Sequence, residues 1–188
     1  MRRLPTLALL AALLLAPGCA PAAAPAQPAP APTPATATGT ALSGLDVVFL
    51  TTLAAHTEQT LELARLGRPR VAGRELRTLV GAIEATETDE LATMRGWLRE
   101  AGPAAGAAHR HTHGTAAEDL ARLRAAPAGE VDRVLIDVLG AHQGAAADLA
   151  RAHLAVGTDP RVRELAARVE RSRTAQVSLM AGLAPARR

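Results

Sequence analysis

With 188 residues and a single cysteine, the chain can build one compact domain but no internal disulfide, so packing alone must hold its fold. Its 21 basic residues are all arginines. After Arg2 and Arg3 are assigned to a leader, the remaining 19 face 18 acidic residues. The arginines are interleaved with Glu and Asp, and the chain has one Phe, one Trp and no Tyr. Nucleic-acid binding, which needs a basic face and favours stacking aromatics, is therefore not expected.

The chain opens with the pattern of an export signal. Residues 1–3 are charged and residues 4–16 are apolar, a stretch too short to span a bilayer. The following Ala16-Pro-Gly-Cys19 resembles a bacterial lipobox. We therefore predict a lipoprotein signal peptide over residues 1–18, with Cys19 lipidated and the protein held at the extracytoplasmic face of the cell membrane. Ordinary cleavage around residues 22–26, which would give a secreted protein, is the alternative.

Residues 19–42 are predicted to form a disordered tether. They are rich in Ala, Pro and Thr and lack charge. Such a segment cannot bury enough surface to offset its ordering entropy, and its prolines favour extended states. The folded domain is expected over residues 43–184, and residues 185–188 form a short tail.

The domain reads as helices in chain order. A capping box at Ser43 and Asp46 opens a helix that ends near Gly67, and a second helix spans about 72–100. A loop over residues 103–114 precedes a short helix over 115–125 and a long one over about 130–156. Asp159-Pro160, an N-cap followed by proline, starts the last helix, which reaches about residue 183. No strand pattern is visible.

The first helix recurs later in the chain. Residues 46–65 match residues 132–151 at a constant offset of 86, and the register continues into the following helix. The matched pairs include Asp46 with Asp132, His56 with His142, and Met94 with Met180. A register kept without a gap indicates a duplicated two-helix unit, with repeats over about 45–100 and 131–184. The predicted fold is all-α, a ferritin-like antiparallel four-helix bundle of two duplicated hairpins with a short linking helix.

Four residues of the repeat are candidate metal ligands. His56 and His142 lie in the middle of apolar helices, where imidazole needs partners for its ring nitrogens. Met94 and Met180 could offer thioethers to Cu(I). The alternatives are histidines hydrogen-bonded across the bundle and methionines that only fill the core.

Glu87 and Glu90 interrupt the inner stripe of the second helix. Buried carboxylates are unfavourable unless they are paired or bound to metal. The matching residues of the second repeat are Arg173 and Gln176, so a cross-bundle salt bridge can satisfy the glutamates and a symmetric carboxylate metal centre is impossible. The chain also lacks the Glu-x-x-His pairs that build di-iron sites in helical bundles.

The loop before the short helix carries His109, His111 and His113. Alternate imidazoles on a loop can chelate Cu(II), Zn(II) or Ni(II), although a histidine-rich turn can also be incidental. Phosphate-binding loops, nucleophile elbows and Ser/His/Asp arrangements are missing from the sequence, so no enzymatic activity is expected.

A motif in each half carries a family resemblance. The first half reads Asp46-x-x-Phe49-Leu50, then His56, and then Ile83-x-x-x-Glu87-x-x-Glu90-Leu91-x-x-Met94-x-x-Trp97-Leu98. The second half repeats the pattern with Asp132 and His142-Gln143. Over residues 43–183 the chain resembles the bacterial DUF305 family, a domain of unknown function. The resemblance implies an exported, ferritin-like helical bundle, and some members are linked to copper through paired histidines and many methionines.

This chain departs from that family pattern. The second histidine of each pair is replaced by Thr57 or Gln143, and four methionines of the first helices are leucines: Leu53, Leu63, Leu139 and Leu149. Two hypotheses follow. Either the exported protein binds copper or another transition metal without catalysis, through His56, His142, Met94, Met180 and Glu90 with help from the histidine loop, or it is a degenerate member that acts as a structural or protein-interaction module.

Overall fold

The computed structural model describes residues 42–102 and 115–183. Five α-helices make up most of this part of the chain. They are α1 (Gly44–Gly67), α2 (Arg74–Glu100), α3 (Thr115–Ala125), α4 (Val131–Val156) and α5 (Pro160–Leu183). Short 3-10 turns at Arg68–Arg70 and Ala128–Glu130 precede α2 and α4. The prediction of an all-α chain is confirmed, since no strand occurs among the described residues, and the expected helix bounds hold to within two residues.

The helix starts that the sequence indicated are present. The Ser43 hydroxyl accepts the backbone N–H of Asp46 at 3.2 Å, and the Asp46 carboxylate accepts the backbone N–H of Ser43 in return, which completes the capping box. At α5, Oδ1 of Asp159 accepts the N–H groups of Arg161 and Val162 at 2.8 and 3.3 Å. These bonds satisfy N–H groups that have no partner inside the helix.

Neighbouring helices run antiparallel. Arg95 of α2 reaches Glu58 of α1 at 2.8 Å, while Arg68, just after α1, reaches Glu84 at 3.0 Å. The earlier residue, Glu58, thus pairs with the later position on α2, and the later residue, Arg68, pairs with the earlier one. This order shows that α1 and α2 form an antiparallel hairpin. α4 and α5 also form a hairpin: Arg151 contacts Glu170 at 3.1 Å, while Arg163 donates to the carbonyl oxygen of Leu154 at 2.6 Å.

The two hairpins meet along α1 and α4. Near one end, the Phe49 ring stacks on His153 with centroids 4.1 Å apart and planes 7° from parallel. Near the other end, Leu135 packs so tightly on Gly67 that a Cβ added there would lie 2.6 Å from the leucine side chain. The missing side chain of Gly67 thus allows the close approach of the two helices.

Two aspartates join the hairpins by the same contact. Asp132 accepts the N–H groups of Ala72 and Gly73, which precede α2, at 2.8 Å each. Asp46 accepts the N–H groups of Thr158 and Asp159, which precede α5, at 3.2 Å each. Each pair of residues is related to the other by the offset of 86 found in the sequence.

The core consists of two apolar clusters, with a polar layer between them on three of the four long helices. One cluster contains Leu63, Val80, Leu135, Leu139 and Met180; the other contains Phe49, Leu61, Met94, Val162 and Val169. On α2, α4 and α5 the residues between the two clusters include buried polar groups: Glu87, Glu90, His142, Gln143 and Arg173. None of the described helices is both long and apolar enough to cross a bilayer.

Candidate functional site

The histidines of the two repeats lie side by side. α1 and α4 cross where His56 faces His142, and their ring centroids are 4.9 Å apart with planes tilted by 34°. Nε2 of His56 lies 2.9 Å from the backbone carbonyl oxygen of His142. Because a carbonyl oxygen only accepts, His56 carries its proton on Nε2 in this arrangement.

His142 is held by a residue outside the repeats. Its Nε2 lies 3.4 Å from Oδ2 of Asp119 on α3, and its Nδ1 is buried without a hydrogen-bond partner among the described residues. Burial lowers the pKa of His142, and the Asp119 carboxylate offsets part of that lowering. The short linking helix is itself fixed by Arg70, which donates to the carbonyl oxygens of Leu123 and Ala126 at 2.6 and 2.7 Å.

This histidine pair borders a surface pocket of about 410 Å³. The pocket is polar at His56, His142 and Asp119 and apolar at Ala145 and Leu149. Two imidazoles and one carboxylate therefore line a space that solvent can enter.

A second polar group, the central cluster, is closed to solvent. It comprises Glu87 and Glu90 of α2, Gln143 of α4 and Arg173 of α5. Nε of Arg173 lies 3.5 Å from Oε1 of Glu87, and its Nη2 donates to Oε2 of Glu90. Gln143 donates to Oε1 of Glu87 at 2.6 Å. The cross-bundle salt bridge predicted from the sequence is confirmed, with Arg173 pairing both glutamates.

The environment of Glu87 changes its ionisation. Burial raises the pKa of Glu87 to about 7, although Arg173 and the hydrogen bond from Gln143 act to lower it. The neighbouring carboxylate of Glu90 adds to the increase. Glu87 is thus poised to exchange a proton near neutral pH.

The predicted soft ligands are not brought together. Met94 lies in the apolar cluster around Phe49, and Met180 lies in the other cluster, around Leu135. Both side chains are fully buried. Glu90 is engaged by Arg173 rather than by a histidine. The fold brings the histidines of different helices, His56 and His142, into contact, but it does not do so for Met94 and Met180.

The residues present therefore do not fit the metal centre that the family resemblance implies. Within residues 42–102 and 115–183, no three His, Cys, Asp or Glu side chains converge in a way that could hold a metal ion. In the bundle centre, the guanidinium of Arg173 supplies the positive charge that a metal would bring to Glu87 and Glu90. The remaining candidates, His109, His111, His113 and the predicted lipidation site Cys19, lie outside the described residues.

Three functional candidates escaped the sequence analysis. Asp119 contacts His142, although nothing in its local sequence indicates this. His153 is buried against Phe49, with its Nε2 3.1 Å from Oδ1 of Asp46. Burial lowers the pKa of His153, while Asp46 acts in the opposite direction. Asp46 was read only as a helix cap, and its hydrogen bonds to Thr158 and Asp159 across the molecule were not foreseen.

Comparison with known proteins decides the family. The sequence pattern of the domain of unknown function DUF305 matches residues 46–184, which is most of the chain. The chain belongs to the DUF305 family. No curated protein shows significant similarity to this DUF305 chain.

Solved structures agree with the family assignment. A DUF305 fragment from Deinococcus radiodurans superposes with a TM-score of 0.68 at 20% identity, covering 76% of this chain and 96% of that chain. A DUF305 protein from Streptomyces coelicolor, described as a candidate secreted protein, gives a TM-score of 0.66 at 19% identity, covering 74% and 89%. At these identities the likeness shows the fold alone. The resemblance to DUF305 predicted from the sequence is confirmed by the family match over residues 46–184.

Proposed function

We propose that this DUF305 chain is an exported, non-enzymatic module of the bacterial cell envelope that acts through its surface rather than through a metal in its interior. The folded part is a ferritin-like four-helix bundle made of two copies of one hairpin. The reciprocal hydrogen bonds of Asp46 and Asp132 at the same offset support the duplication. Cys19 carries the lipid that anchors the tether of residues 19–42 in the membrane.

The observation that carries the proposal is the position of Arg173. Its side chain is 1% exposed and pairs with both buried glutamates. A cation bound at Glu87 and Glu90 would have to displace this guanidinium, which would leave an unpaired charge in the core. The positive charge at the centre of the bundle is thus supplied by the chain itself, and binding of a metal or a partner is left to the exterior.

Export is supported by two independent observations. The first is the leader of residues 1–18, and the second is the description of the Streptomyces relative as a candidate secreted protein. The test is the membrane fraction of cells that express the full chain. Wild type should sediment with membranes and take up labelled fatty acid, whereas Cys19→Ala should do neither. A wild-type chain that carries no lipid and leaves the cell would replace the anchor with ordinary secretion.

A second candidate function is surface binding of copper, zinc or nickel. It is favoured by one observation, the two imidazoles 4.9 Å apart at a pocket that also contains Asp119. Imidazole is a common ligand for these metals. The sequence prediction adds His109, His111 and His113, which lie outside the described residues, to these candidate ligands.

Metal analysis separates the two functions. The full chain is purified from its own envelope without a nickel column, its metal content is measured, and Cu(II) and Zn(II) are titrated against a competing chelator. If the protein is a module without a metal, it should bind Cu(II) and Zn(II) no more tightly than a free peptide covering residues 103–114 does. Tight stoichiometric binding that is lost in His56→Gln and His142→Gln, and kept in Met94→Leu, would establish the surface metal site instead.

A further inference from the structure

The central cluster contains more negative than positive charge. Glu87, Arg173 and Gln143 are each at most 1% exposed, and Glu90 is 8% exposed. Two carboxylates thus share one guanidinium in a volume that solvent does not reach. If both were ionised, one net negative charge would remain in the core, which is strongly unfavourable in a medium of low polarity.

The hydrogen bonds of the cluster also lack a donor. Gln143 donates its amide N–H to Glu87 at 2.6 Å, but the amide oxygen of Gln143 is buried without a donor in the described structure. An ionised carboxylate only accepts, whereas a protonated one also donates an O–H. If the amide of Gln143 turns over, the O–H of a protonated Glu87 can donate to this amide oxygen. One proton therefore removes the excess charge, and Glu87 and Gln143 can keep a hydrogen bond to each other whichever way the amide is turned.

We propose that Glu87 is a proton-binding site that fastens α2 to α4 and α5. A proton from solvent forms an O–H bond on Glu87, and the protonated carboxyl hydrogen-bonds to Gln143. The guanidinium of Arg173 then neutralises only Glu90. When the proton leaves, Glu87 is a buried anion that competes with Glu90 for the single guanidinium. Helix α2 then loosens from the other hairpin, and the cluster admits water.

Among the described residues, the other titratable groups on the neighbouring elements already have partners, and on α1 Nε2 of His56 lies against the carbonyl oxygen of His142. From α1, the buried polar residues are Thr57 and Thr60, which do not titrate in this range, and Arg68 in the turn before α2 is engaged at the surface by Glu84. α4 contributes His142, which is paired with Asp119, and α5 contributes Arg173. Burial raises the pKa of Glu87 to about 7, so the exchange falls in the neutral range.

The unfolding equilibrium gives the test. Between about pH 4.5, the ordinary value, and about pH 7, the folded chain holds a proton on Glu87 that the unfolded chain has lost. The Glu87 contribution to stability is therefore complete below this window and is lost as pH rises through it. It increases the unfolding constant by up to about tenfold per pH unit.

The variant Glu87→Gln isolates this effect. It keeps the shape of a neutral, protonated side chain, so the ratio of its unfolding constant to that of the wild type should change with pH across the window. The matched control is Glu84→Gln, a glutamate of the same helix at the surface, whose ratio to the wild type should stay flat. The protection of the α2 amides, taken relative to their intrinsic base-catalysed exchange rate, should fall as pH rises through this window in the wild type and stay constant in Glu87→Gln. Parallel pH profiles for wild type and Glu87→Gln would overturn the proposal.

The protonation of Glu87 can also be measured in the wild-type chain by infrared spectroscopy. This measurement does not depend on whether the Glu87→Gln variant folds. The infrared difference spectrum of the folded wild type between acidic and alkaline buffer should contain the carbonyl band of a buried protonated carboxyl that disappears near pH 7. If every carboxyl of the folded chain is already ionised at about pH 5.5, Glu87 holds no proton and the site does not exist.

Discussion

Asp46 and Asp132 make the same contact at opposite ends of the molecule, but with different burial. Each carboxylate receives two backbone N–H groups from the residues that precede the second helix of the other hairpin. Asp46 is fully buried and also accepts from Ser43 and from the hydroxyl of Thr158 at 2.9 Å. Burial pushes the pKa of Asp46 up, but these hydrogen bonds outweigh it and hold the pKa below its usual value.

The first prediction concerns the relative importance of these two carboxylates. Asp46→Ala should lower the free energy of unfolding by about 3 kcal/mol, because it leaves several buried N–H and O–H donors without an acceptor. Asp132→Ala should lower it by about 1–2 kcal/mol, since water can reach the donors that it exposes. Urea denaturation at neutral pH measures both.

Asp148→Ala serves as the control for loss of an aspartate. Asp148 is exposed and pairs with Arg151, so its removal should change stability by less than about 0.5 kcal/mol. If Asp132→Ala is more harmful than Asp46→Ala, the contacts of Asp46 with Ser43 and Thr158 add nothing to its role.

The second prediction concerns Arg173. Arg173→Met should lower the free energy of unfolding by about 3–5 kcal/mol, because Glu87 and Glu90 would remain buried without their cation. The neighbouring Arg171 is exposed on the same helix, and Arg171→Met should be nearly neutral.

Rescue tests the cause of that loss. Adding Glu87→Gln and Glu90→Gln to Arg173→Met removes the buried charge and should recover a large part of the stability. A triple variant that is as unstable as Arg173→Met alone would indicate that the arginine acts through its packing rather than its charge.

The third prediction compares substitution of Gly140, inside α4, with substitution of Gly157, the residue that follows α4. Gly157, at the end of the helix, is pressed against His153, and a Cβ added there would lie 2.3 Å from Nε2 of the histidine. Gly157→Ala should therefore destabilise the protein by about 1–3 kcal/mol. An added Cβ at Gly140 meets nothing within 4 Å, so Gly140→Ala should stabilise it by about 0.5–1 kcal/mol through helix propensity. Thermal unfolding measures both, and changes of the same sign would refute this description of α4.

The fourth prediction concerns the ionisation of His142. Asp119 partly offsets the burial that lowers the pKa of His142, so Asp119→Asn should lower that pKa further. Asp137→Asn removes a surface aspartate that pairs with Arg122 and Arg133, and it should leave the pKa unchanged. An NMR titration of the imidazole carbons reports the value. An increase in Asp119→Asn would mean that the carboxylate does not act on His142.

The fifth prediction is the acid sensitivity that remains once Glu87 is replaced. Burial lowers the pKa of His142 and of His153, so the unfolded chain binds these protons at a higher pH than the folded chain does. Their contribution to stability is present above about pH 6.5 and is lost as pH falls below it. In Glu87→Gln, the free energy of unfolding should therefore decrease from about pH 6.5 to pH 5. An increase over that interval would contradict the assignment.

Much of the fold could be predicted because it depends on local signals. The caps at Ser43 and Asp159 fix where α1 and α5 begin, and the exchange of Glu87 for Arg173 between the repeats indicated the central salt bridge. These features follow from neighbouring residues or from a comparison of two aligned segments. Neither requires knowledge of how the helices pack.

The candidate site could be predicted only in part, because equivalence in sequence is not proximity in space. Two antiparallel hairpins bring equivalent residues together only where they cross, which holds for His56 and His142 but not for Met94 and Met180. Asp119 lies in a helix outside the repeats, so no register indicated its contact with His142. At the repeat offset the counterpart of His153 is Gly67, and the comparison of the halves therefore gave no signal for this histidine.

The charged layer across the middle gives the molecule two separate interiors. Side chains around Leu135 and those around Phe49 share no apolar contact network, so volume changes at one end should combine additively with changes at the other. Substitutions can thus turn the surface at one end of the folded part into a recognition surface, while the apolar cluster at the other end and Arg173 between them keep the chain folded.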